Sequence, residues 1–491
     1  MSTTQALPSG AIPSGAFGAP ATRAEALALR LAERISSREL GPGARLPSVR
    51  DCAARERLSP STVVAAYDLL QARGLVQARP QRGFFVREPI GARSVDGVVD
   101  GTSQVAAGAA IEPAGPAPVD ATALIRSMFH PARQRGSGGP GVGTLPANWL
   151  DAGLLQRLLR KASSDPAAAE AWLHYGDPAG DPFLRQALVS HLAELGIPAA
   201  PEQIVTTQGA TQGLDIVART LLAPGDAVLV DEPGWAIEFA RLARLGVVVL
   251  PVPRGAEGPD LDRLAQLAAA HRPKVYVTMS VLHNPTGGSF SAATAHQVLT
   301  LAEALDLTVV DDDTYAWFAP PGATRLAPLD ALRRRTVYVS GFSKVLAPQW
   351  RVGFIAAPPA LAQRFIDTKL LSGLTTPATF ERAIGHALVQ GSLRRHTDRL
   401  GARLASARQR CLRLVRDAGC EFVTPPQGLF GWIDTGTDTE RLAQALLAEG
   451  WLCAPGTLFH ARPTTGTLMR INFATAQEPR FWQRLVALRE R

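Results

Sequence analysis

From Trp149 onward, short β-branched runs that end in polar residues alternate with helical patterns, and this alternation restricts the fold more than any other feature of the chain. The runs are Ala227 to Val230, Lys274 to Thr278, Leu307 to Val310 and Thr336 to Val339, with helical patterns such as Leu261 to His271 and Thr294 to Leu305 between them. Strands that are apolar along their whole length need cover on both faces, so the pattern predicts a mostly parallel sheet with helices on either side. After about residue 392 the order changes to a long helix, Leu393 to Asp417, strands near Glu421 and Leu468, and a closing helix. That is the signature of a smaller α+β lobe. No internal repeat is visible.

A chain of 491 residues exceeds one ordinary core, and about 150 residues per domain predicts about three packed units. Hydrophobic residues at 46% and charged residues at 19% exclude global disorder. Residues 1–21 are rich in Pro, Gly, Ala and Ser without periodicity and read as a disordered tail. They lack the basic and continuous apolar regions of a signal peptide, and no uninterrupted apolar run downstream could span a bilayer. The expectation is a cytoplasmic protein with no membrane partner. Cys52, Cys411, Cys420 and Cys453 are too scattered for a disulfide scaffold or a zinc site and read as reduced core thiols.

The charge is concentrated. Residues 23–88 hold 12 Arg, no Lys and 7 Asp or Glu, so +5 of the chain's +8 sits in one short segment. Leu27, Leu31 and Ile35 mark one buried helix face, and Gly41-Pro42-Gly43 marks a turn. Ser48 with Asp51 opens a second helix, Val49 to Glu56, and Ser59-Pro60 opens a third with Val63, Tyr67 and Leu70 on one face. Gln77 to Val86, bending at Gly83, completes a helix-turn-helix with a wing. A basic unit of this form can hold DNA phosphates.

The division expected is a tail over 1–21, the winged unit over 22–88, a flexible linker over 89–145 with a short helix near Asp120 to Met128, and a large unit over 146–491. Within the last, a large lobe spans about 200–390 and a small lobe about 391–491.

In a parallel α/β sheet, ligands collect at the carboxyl ends of the strands. Here those ends carry Asp231-Glu-Pro-Gly-Trp235, His283-Asn-Pro-Thr-Gly287, Asp311-Asp-Asp-Thr-Tyr315 and Ser340-Gly-Phe-Ser-Lys344. The chain has only four lysines against 47 arginines, so a lysine at a strand end asks for a task that Arg cannot perform. Schiff-base chemistry with an aldehyde is such a task, because a buried lysine can lose its proton. Pyridoxal phosphate also needs a carboxylate at its ring nitrogen, donors to its phenolic oxygen, a phosphate cradle and an aromatic face. Asp312, Asn284 with Tyr315, the Gly209-Ala210-Thr211 turn opening a helix, and Trp235 match those needs.

These residues carry a resemblance. From about 146 to 491 the chain resembles fold-type I pyridoxal-phosphate aminotransferases, with Tyr175-Gly-Asp-Pro, Pro233-Gly-Trp235, Asn284-Pro-Thr-Gly287, Asp312-Asp-Thr-Tyr315, Ser343-Lys344 and Met469-Arg470 in the family's order. Residues 23–88 resemble a GntR-type winged helix through Pro42-Gly-Ala-Arg-Leu-Pro-Ser48 and Arg79-Pro-Gln-Arg-Gly-Phe-Phe-Val86. Together they look like a MocR-type transcription regulator.

The resemblance implies an internal aldimine at Lys344, with Asp312 at the pyridine nitrogen, Asn284 and Tyr315 at the phenolic oxygen, and Trp235 on the ring. Ala210, Thr211, Ser343 and Arg351 would hold the phosphate, Tyr175 would reach the phosphate of a neighbouring subunit in a homodimer, and Arg470 would clamp an effector carboxylate. On the winged helix, Arg45, Ser48, Arg50, Arg79 and Arg82 are candidates for DNA contact, with Ser61 and Thr62 in the major groove. The partners implied are a double-stranded DNA operator and a small amine, amino acid or pyridoxal phosphate as effector, with the protein on the nucleoid when DNA-bound.

Two departures stand out. Gly341 replaces the first hydroxyl of the family's Ser/Thr-Phe-Ser-Lys pattern, and Ser59-Pro60 stands where GntR-type domains often carry Ser-Arg. Taken singly, each residue has a plainer reading. Trp235 reads as core, Asn-Pro-Thr-Gly as a turn, Arg470 as a structural ion pair, and Arg50, Arg79 and Arg82 as solvated charge. His174, His283 and His460 show no metal-ligand spacing, so no metal is expected. Two alternatives stay open: an active aminotransferase with an appended DNA-binding domain, and a regulator whose large unit is only a dimerisation scaffold.

Overall fold

The computed structural model describes residues 22–36, 39–41, 43–72, 75–79, 83–87, 139–164, 173–330, 335–462 and 464–490. The chain divides into two compact units, Met1–Arg133 and Gln134–Arg491. The tail over 1–21, the helix expected near Asp120 to Met128, and Arg82 at the wing tip lie outside the described residues.

The first unit contains α1 (Arg23–Ser36), α2 (Val49–Glu56) and α3 (Pro60–Ala72), followed by the antiparallel pair β1 (Val76–Arg79) and β2 (Gly83–Val86). Leu27, Leu31, Cys52, Val63, Tyr67 and Val86 meet in its core. Local chemistry sets the helix ends. Ser48 Oγ accepts from Asp51 N at 3.2 Å and donates to Asp51 Oδ2 at 2.6 Å, which caps α2. Arg57, in the left-handed region at φ 53°, ends it. Ser59 Oγ accepts from Thr62 N at 3.2 Å, and Pro60 takes the first position of α3.

The second unit begins with α4 (Ala152–Ser163) and α5 (Pro182–Glu194). Its large sheet is built from β3 (Ile204–Thr207), β4 (Ala227–Glu232), β5 (Val248–Gly255), β6 (Gly258–Pro259), β7 (Val275–Thr278), β8 (Thr308–Asp312), β9 (Thr336–Gly341) and β10 (Gly353–Ala356). The spatial order is β3-β10-β9-β8-β7-β4-β5-β6. From β9 to β5 all neighbours are parallel, whereas β10 runs antiparallel to both β9 and β3. Strands β3, β5 and β10 were not among the four expected. Two of them are only four residues long, and Pro251 and Pro253 inside β5 argue against a strand when read locally.

The helices covering the sheet are α6 (Ala210–Leu221), α7 (Ala236–Arg244), α8 (Leu261–His271), α9 (Ala292–Ala304), α10 (Leu326–Asp330) and α11 (Pro359–Gly373). Two apolar clusters, one around Val230, Val310 and Phe365 and the other around Leu229, Leu264 and Val309, fill the two faces. After α12 (Ala378–Val389) the long α13 (Ser392–Asp417) leads into the small lobe. There β11 (Glu421–Phe422), β12 (Phe430–Asp434), β13 (Ala454–Pro455) and β14 (Leu468–Asn472) form an antiparallel sheet in the order β11-β12-β14-β13, with α14 (Thr439–Ala448) and α15 (Pro479–Arg489) packed on it. All four cysteines are buried and free.

One expectation needs correction. The flexible segment placed over 89–145 stops short of 145, because Gly139, Pro140 and Gly141 are buried and Leu145 belongs to the main core. A Cβ on Gly139 would lie 2.3 Å from the Leu452 backbone, and one on Gly141 would lie 2.3 Å from the Cys453 carbonyl carbon. Glycines that read as linker composition are here the only residues that let two backbones touch.

Candidate functional site

Parallel strands aim their carboxyl ends at one rim, and β4, β7, β8 and β9 bring their terminal residues together there. Strand β9 ends at Gly341, and the turn through Phe342 and Ser343 presents Lys344. Its Nζ donates to Gly143 O at 2.9 Å and lies 5.4 Å from the Tyr315 ring centroid. Burial, and then the nearby Arg470 charge, push the lysine pKa down from 10.5 to about 8, with Asp312 pulling the other way.

Arg470 lies within β14, paired with Trp432 and Ala454 on either side. Its Nη1 donates to Asn284 Oδ1 at 2.9 Å and its Nη2 to Gly141 O at 2.5 Å. The guanidinium stacks 4.3 Å from the Phe430 ring centroid and 5.1 Å from that of Phe459. Among the described residues its Nε is buried without a hydrogen-bond partner, and burial lowers its pKa to about 10. The plainer reading of Arg470 as half of an ion pair does not describe it, since both bonded groups are neutral oxygens.

Asp312 closes β8. Its Oδ1 accepts from the Thr314 amide at 3.1 Å and from the Thr314 hydroxyl. Burial raises its pKa to about 7 despite those bonds, and the Glu238 charge adds to the rise. Tyr315 is buried too, which pushes its phenol up. Trp235, at the cap of α7, lines one pocket with Asn284, Asp312, Asp231 and Glu238.

A second cluster forms at the start of α6. Gly209 stands at the cap with φ 78° and offers no side chain to the helix amides, which leaves Ala210 and Thr211 at an open, positive helix end. Arg351 donates to Ser343 Oγ and to Gln208 O, each at 3.1 Å. A Cβ on Gly209 would fall 2.5 Å from Arg351 Nη2, so glycine is what lets the guanidinium approach. A Cβ on Gly341 would meet Ala210 N at 3.4 Å, which puts the departure from the Ser/Thr-Phe-Ser-Lys pattern against this same helix end.

Trp235, Asn284 and Asp312 therefore line one pocket; Arg470 joins it through Asn284, Lys344 lies over Tyr315, and Arg351 gathers Ser343 at the α6 end that carries Ala210 and Thr211. Tyr175 is elsewhere, 83% exposed on a loop. The donor set suits pyridoxal phosphate: an amine with a lowered pKa, a buried carboxylate, an aromatic wall, and an anion cradle of helix amides, a hydroxyl and a guanidinium.

Three features escaped the sequence reading. Glu238 lines the pocket beside Asp312 and is held by Arg241 one turn on; its only signal was an i, i+3 charge pair. Asp231 was visible at a strand end without a role. It accepts from Arg254 Nη1 at 2.6 Å, Thr278 Oγ1 at 2.7 Å and Tyr276 OH at 2.5 Å, forming a buried polar wall. The carbonyls of Gly141 and Gly143 left no signal at all.

On the winged unit, Arg45 and Arg50 are exposed, and Arg45 bridges to Phe85 of β2. Ser48 spends its hydroxyl on the α2 cap. Ser61 is exposed and Thr62 half-buried at the front of α3, where both hydroxyls bond Ser59 Oγ. Arg79 lies in β1. Among the described residues there is no metal-ligand cluster, and no helix is long and apolar enough to cross a membrane.

Comparison with known proteins gives two family matches: aminotransferase class I and II over residues 144–481, and bacterial regulatory proteins of the gntR family over residues 23–86. The uncharacterized HTH-type transcriptional regulator YdcR of Escherichia coli K12 is 30% identical over 91% of this chain and 94% of its own length. The probable rhizopine catabolism regulatory protein MocR of Rhizobium meliloti is 26% identical over 90% of this chain and 88% of its own. Among solved structures, the α-aminoadipate aminotransferase LysN of Thermus thermophilus, complexed with N-(5'-phosphopyridoxyl)-L-leucine, superimposes with a TM-score of 0.66 at 25% identity. That match covers 74% of this chain and 95% of LysN.

Proposed function

The chain belongs to the MocR-type transcription regulators, a gntR-type DNA-binding domain joined to a class I and II aminotransferase domain, and from that premise we propose that its large unit senses a small amine, an amino acid or pyridoxal phosphate itself through Lys344. The winged helix binds DNA and the large unit binds pyridoxal phosphate. In this reading Lys344 would hold the cofactor at its aldehyde, Asp312 would serve its ring nitrogen, Asn284 and Tyr315 its phenolic oxygen, and Trp235 its ring face. Ala210, Thr211, Ser343 and Arg351 hold the phosphate. Bound there, the cofactor would supply an electrophilic carbon for an amine.

The observation that carries the sensing role is Arg470. Among the described residues this buried guanidinium bonds only neutral oxygens and keeps Nε open. Left so, it is expensive; a carboxylate arriving with the effector would satisfy it in the bidentate geometry that favours Arg. The effector would then shift the large unit between states and alter DNA binding by the winged helices.

A homodimer fits the same reading. Tyr175 and Leu173 stand 83% and 81% exposed, as residues awaiting a second copy would, and Tyr175 then reaches the neighbour's phosphate. Two tethered winged helices gain effective concentration at adjacent half-sites. Such a regulator works on DNA in the cytoplasm.

One observation favours the second reading, an active aminotransferase with an appended DNA-binding domain. Lys344, Asp312, Asn284, Tyr315 and Arg470, the residues the aminotransferase resemblance assigns to its chemistry, are all present, with Arg470 bonded to Asn284 and Lys344 set over Tyr315. The test is an absorbance titration of the full-length protein loaded with pyridoxal phosphate, against amines and amino acids, followed by operator binding. A band that shifts with one ligand and holds, with a change in DNA affinity, is the result expected of a sensor. Bleaching with release of keto acid overturns it in favour of the enzyme, and absence of any cofactor band leaves a dimerisation scaffold.

A further inference from the structure

Between Gly139 and Thr144 the chain forms a strap along the small-lobe sheet, turning where Val142 N donates to Gly139 O at 3.1 Å and bending at Gly143 and Thr144. Gly141 N donates to Leu452 O at 2.8 Å, and Asn472 N donates to Pro140 O at 2.8 Å. Four of its carbonyls divide between two sets of partners. The carbonyls of Val142 and Thr144 both accept from Asn472 Nδ2, each at 2.8 Å. Those of Gly141 and Gly143 accept from Arg470 Nη2 at 2.5 Å and Lys344 Nζ at 2.9 Å.

Asn472 is wholly buried, two residues beyond Arg470 on β14. Its Oδ1 is also taken, accepting from Ala474 N at 2.9 Å. One amide therefore holds the strap from behind, while the strap's front holds the two residues that define the site.

We propose that Asn472 is a positioning residue for ligand capture: by clamping Val142 and Thr144 it fixes the Gly141 and Gly143 carbonyls that aim Arg470 at a carboxylate and hold Lys344 in line. This rests on the reading of Lys344 and Arg470 given above. Arg470 is oriented by one side chain, Asn284, and one backbone carbonyl, Gly141. Release of the strap frees half of that support and lets the guanidinium tilt on the Phe430 face.

The experiment compares two probes that differ by one carboxymethyl group, pyridoxamine phosphate and N-(5'-phosphopyridoxyl)glycine, on the full-length wild type, Asn472→Ala, Asn472→Asp and Arg470→Lys proteins. The reading is the ratio of the two affinities, because a general structural loss lowers both alike. The wild type is expected to prefer the carboxylate-bearing probe at least tenfold, and the Asn472 variants to lose about tenfold of that ratio. A preference that Arg470→Lys abolishes and both Asn472 variants keep overturns the proposal and leaves the Arg470 reading standing. No preference in the wild type overturns both. Should the Asn472 variants not fold, hydrogen exchange in the wild type decides: the carboxylate-bearing probe should slow exchange at Gly141 and Val142 more than pyridoxamine phosphate does, and equal exchange overturns the proposal.

Discussion

Arg470 and Asn284, 186 residues apart in the chain, meet through a 2.9 Å hydrogen bond from Nη1 to Oδ1, which joins the small-lobe sheet to the rim of the large one. The bond orients a buried cation and a side chain that faces the cofactor pocket, so a ligand that engages one group acts on the other.

Removing Asn284 should therefore cost stability as well as binding. Asn284→Ala leaves a buried charged donor without its partner, a loss of about 1–3 kcal/mol. Thermal melting of the cofactor-free protein should show a fall in Tm. An unchanged Tm would mean that the guanidinium finds another acceptor.

The lysine pKa near 8 sets a pH dependence for cofactor attachment. Only the neutral amine attacks an aldehyde, so the attachment rate of pyridoxal phosphate should rise with pH up to about 8 and level off above it. A rate still climbing at pH 10 would indicate an ordinary lysine environment. Lys344→Ala should show no attachment band at any pH.

Asp312 acts in the opposite sense. Its pKa rises from 3.8 unfolded to about 7 in the cofactor-free fold, so the folded state holds the extra proton between those values. Stability from this group is greatest below about pH 4, falls as pH rises through that window, and is lowest above pH 7. Asp312→Asn should thus stabilise the cofactor-free protein at pH 8 by on the order of a few kcal/mol, and do so far less at pH 4. With pyridoxal phosphate bound the order should reverse, because the ring nitrogen loses its counter-charge. Melting curves at the two pH values, with and without cofactor, measure this.

In the winged unit, Arg45 and Ser48 should separate by assay. Arg45→Ala removes an exposed charge and should weaken operator binding across sequences, lowering the salt slope by about 1. Ser48→Ala removes the α2 cap and should cost about 1 kcal/mol of stability, with DNA binding reduced only as far as the fold loosens. An unchanged salt slope for Arg45→Ala would remove it from the interface.

Much of this protein is legible in its sequence because the information is local. The caps at Ser48 and Ser59, the bounds of α2 and α8, and the polar residues ending β4, β8 and β9 follow from periodicity and from short-range hydrogen-bonding chemistry. The rarity of lysine singles out Lys344. Strands β3 and β10 were less legible, since four-residue strands owe their pairing to neighbours far along the chain. Glu238 offered only an i, i+3 charge pair with Arg241, and the packing of α7 is what sets it beside Asp312.

By itself, the sequence determined which chemistries the chain carries and in what order: a basic winged helix, a lysine, carboxylate and aromatic set at strand ends, and an arginine in the last strand. Only the tertiary structure decided that Gly139–Thr144 packs on the large unit and holds Arg470 and Lys344 rather than belonging to the linker. A glycine-rich segment has few side chains with which to announce a partner, and its role exists only where another backbone, here that of Leu452, and the amide of Asn472 come close enough to bond it.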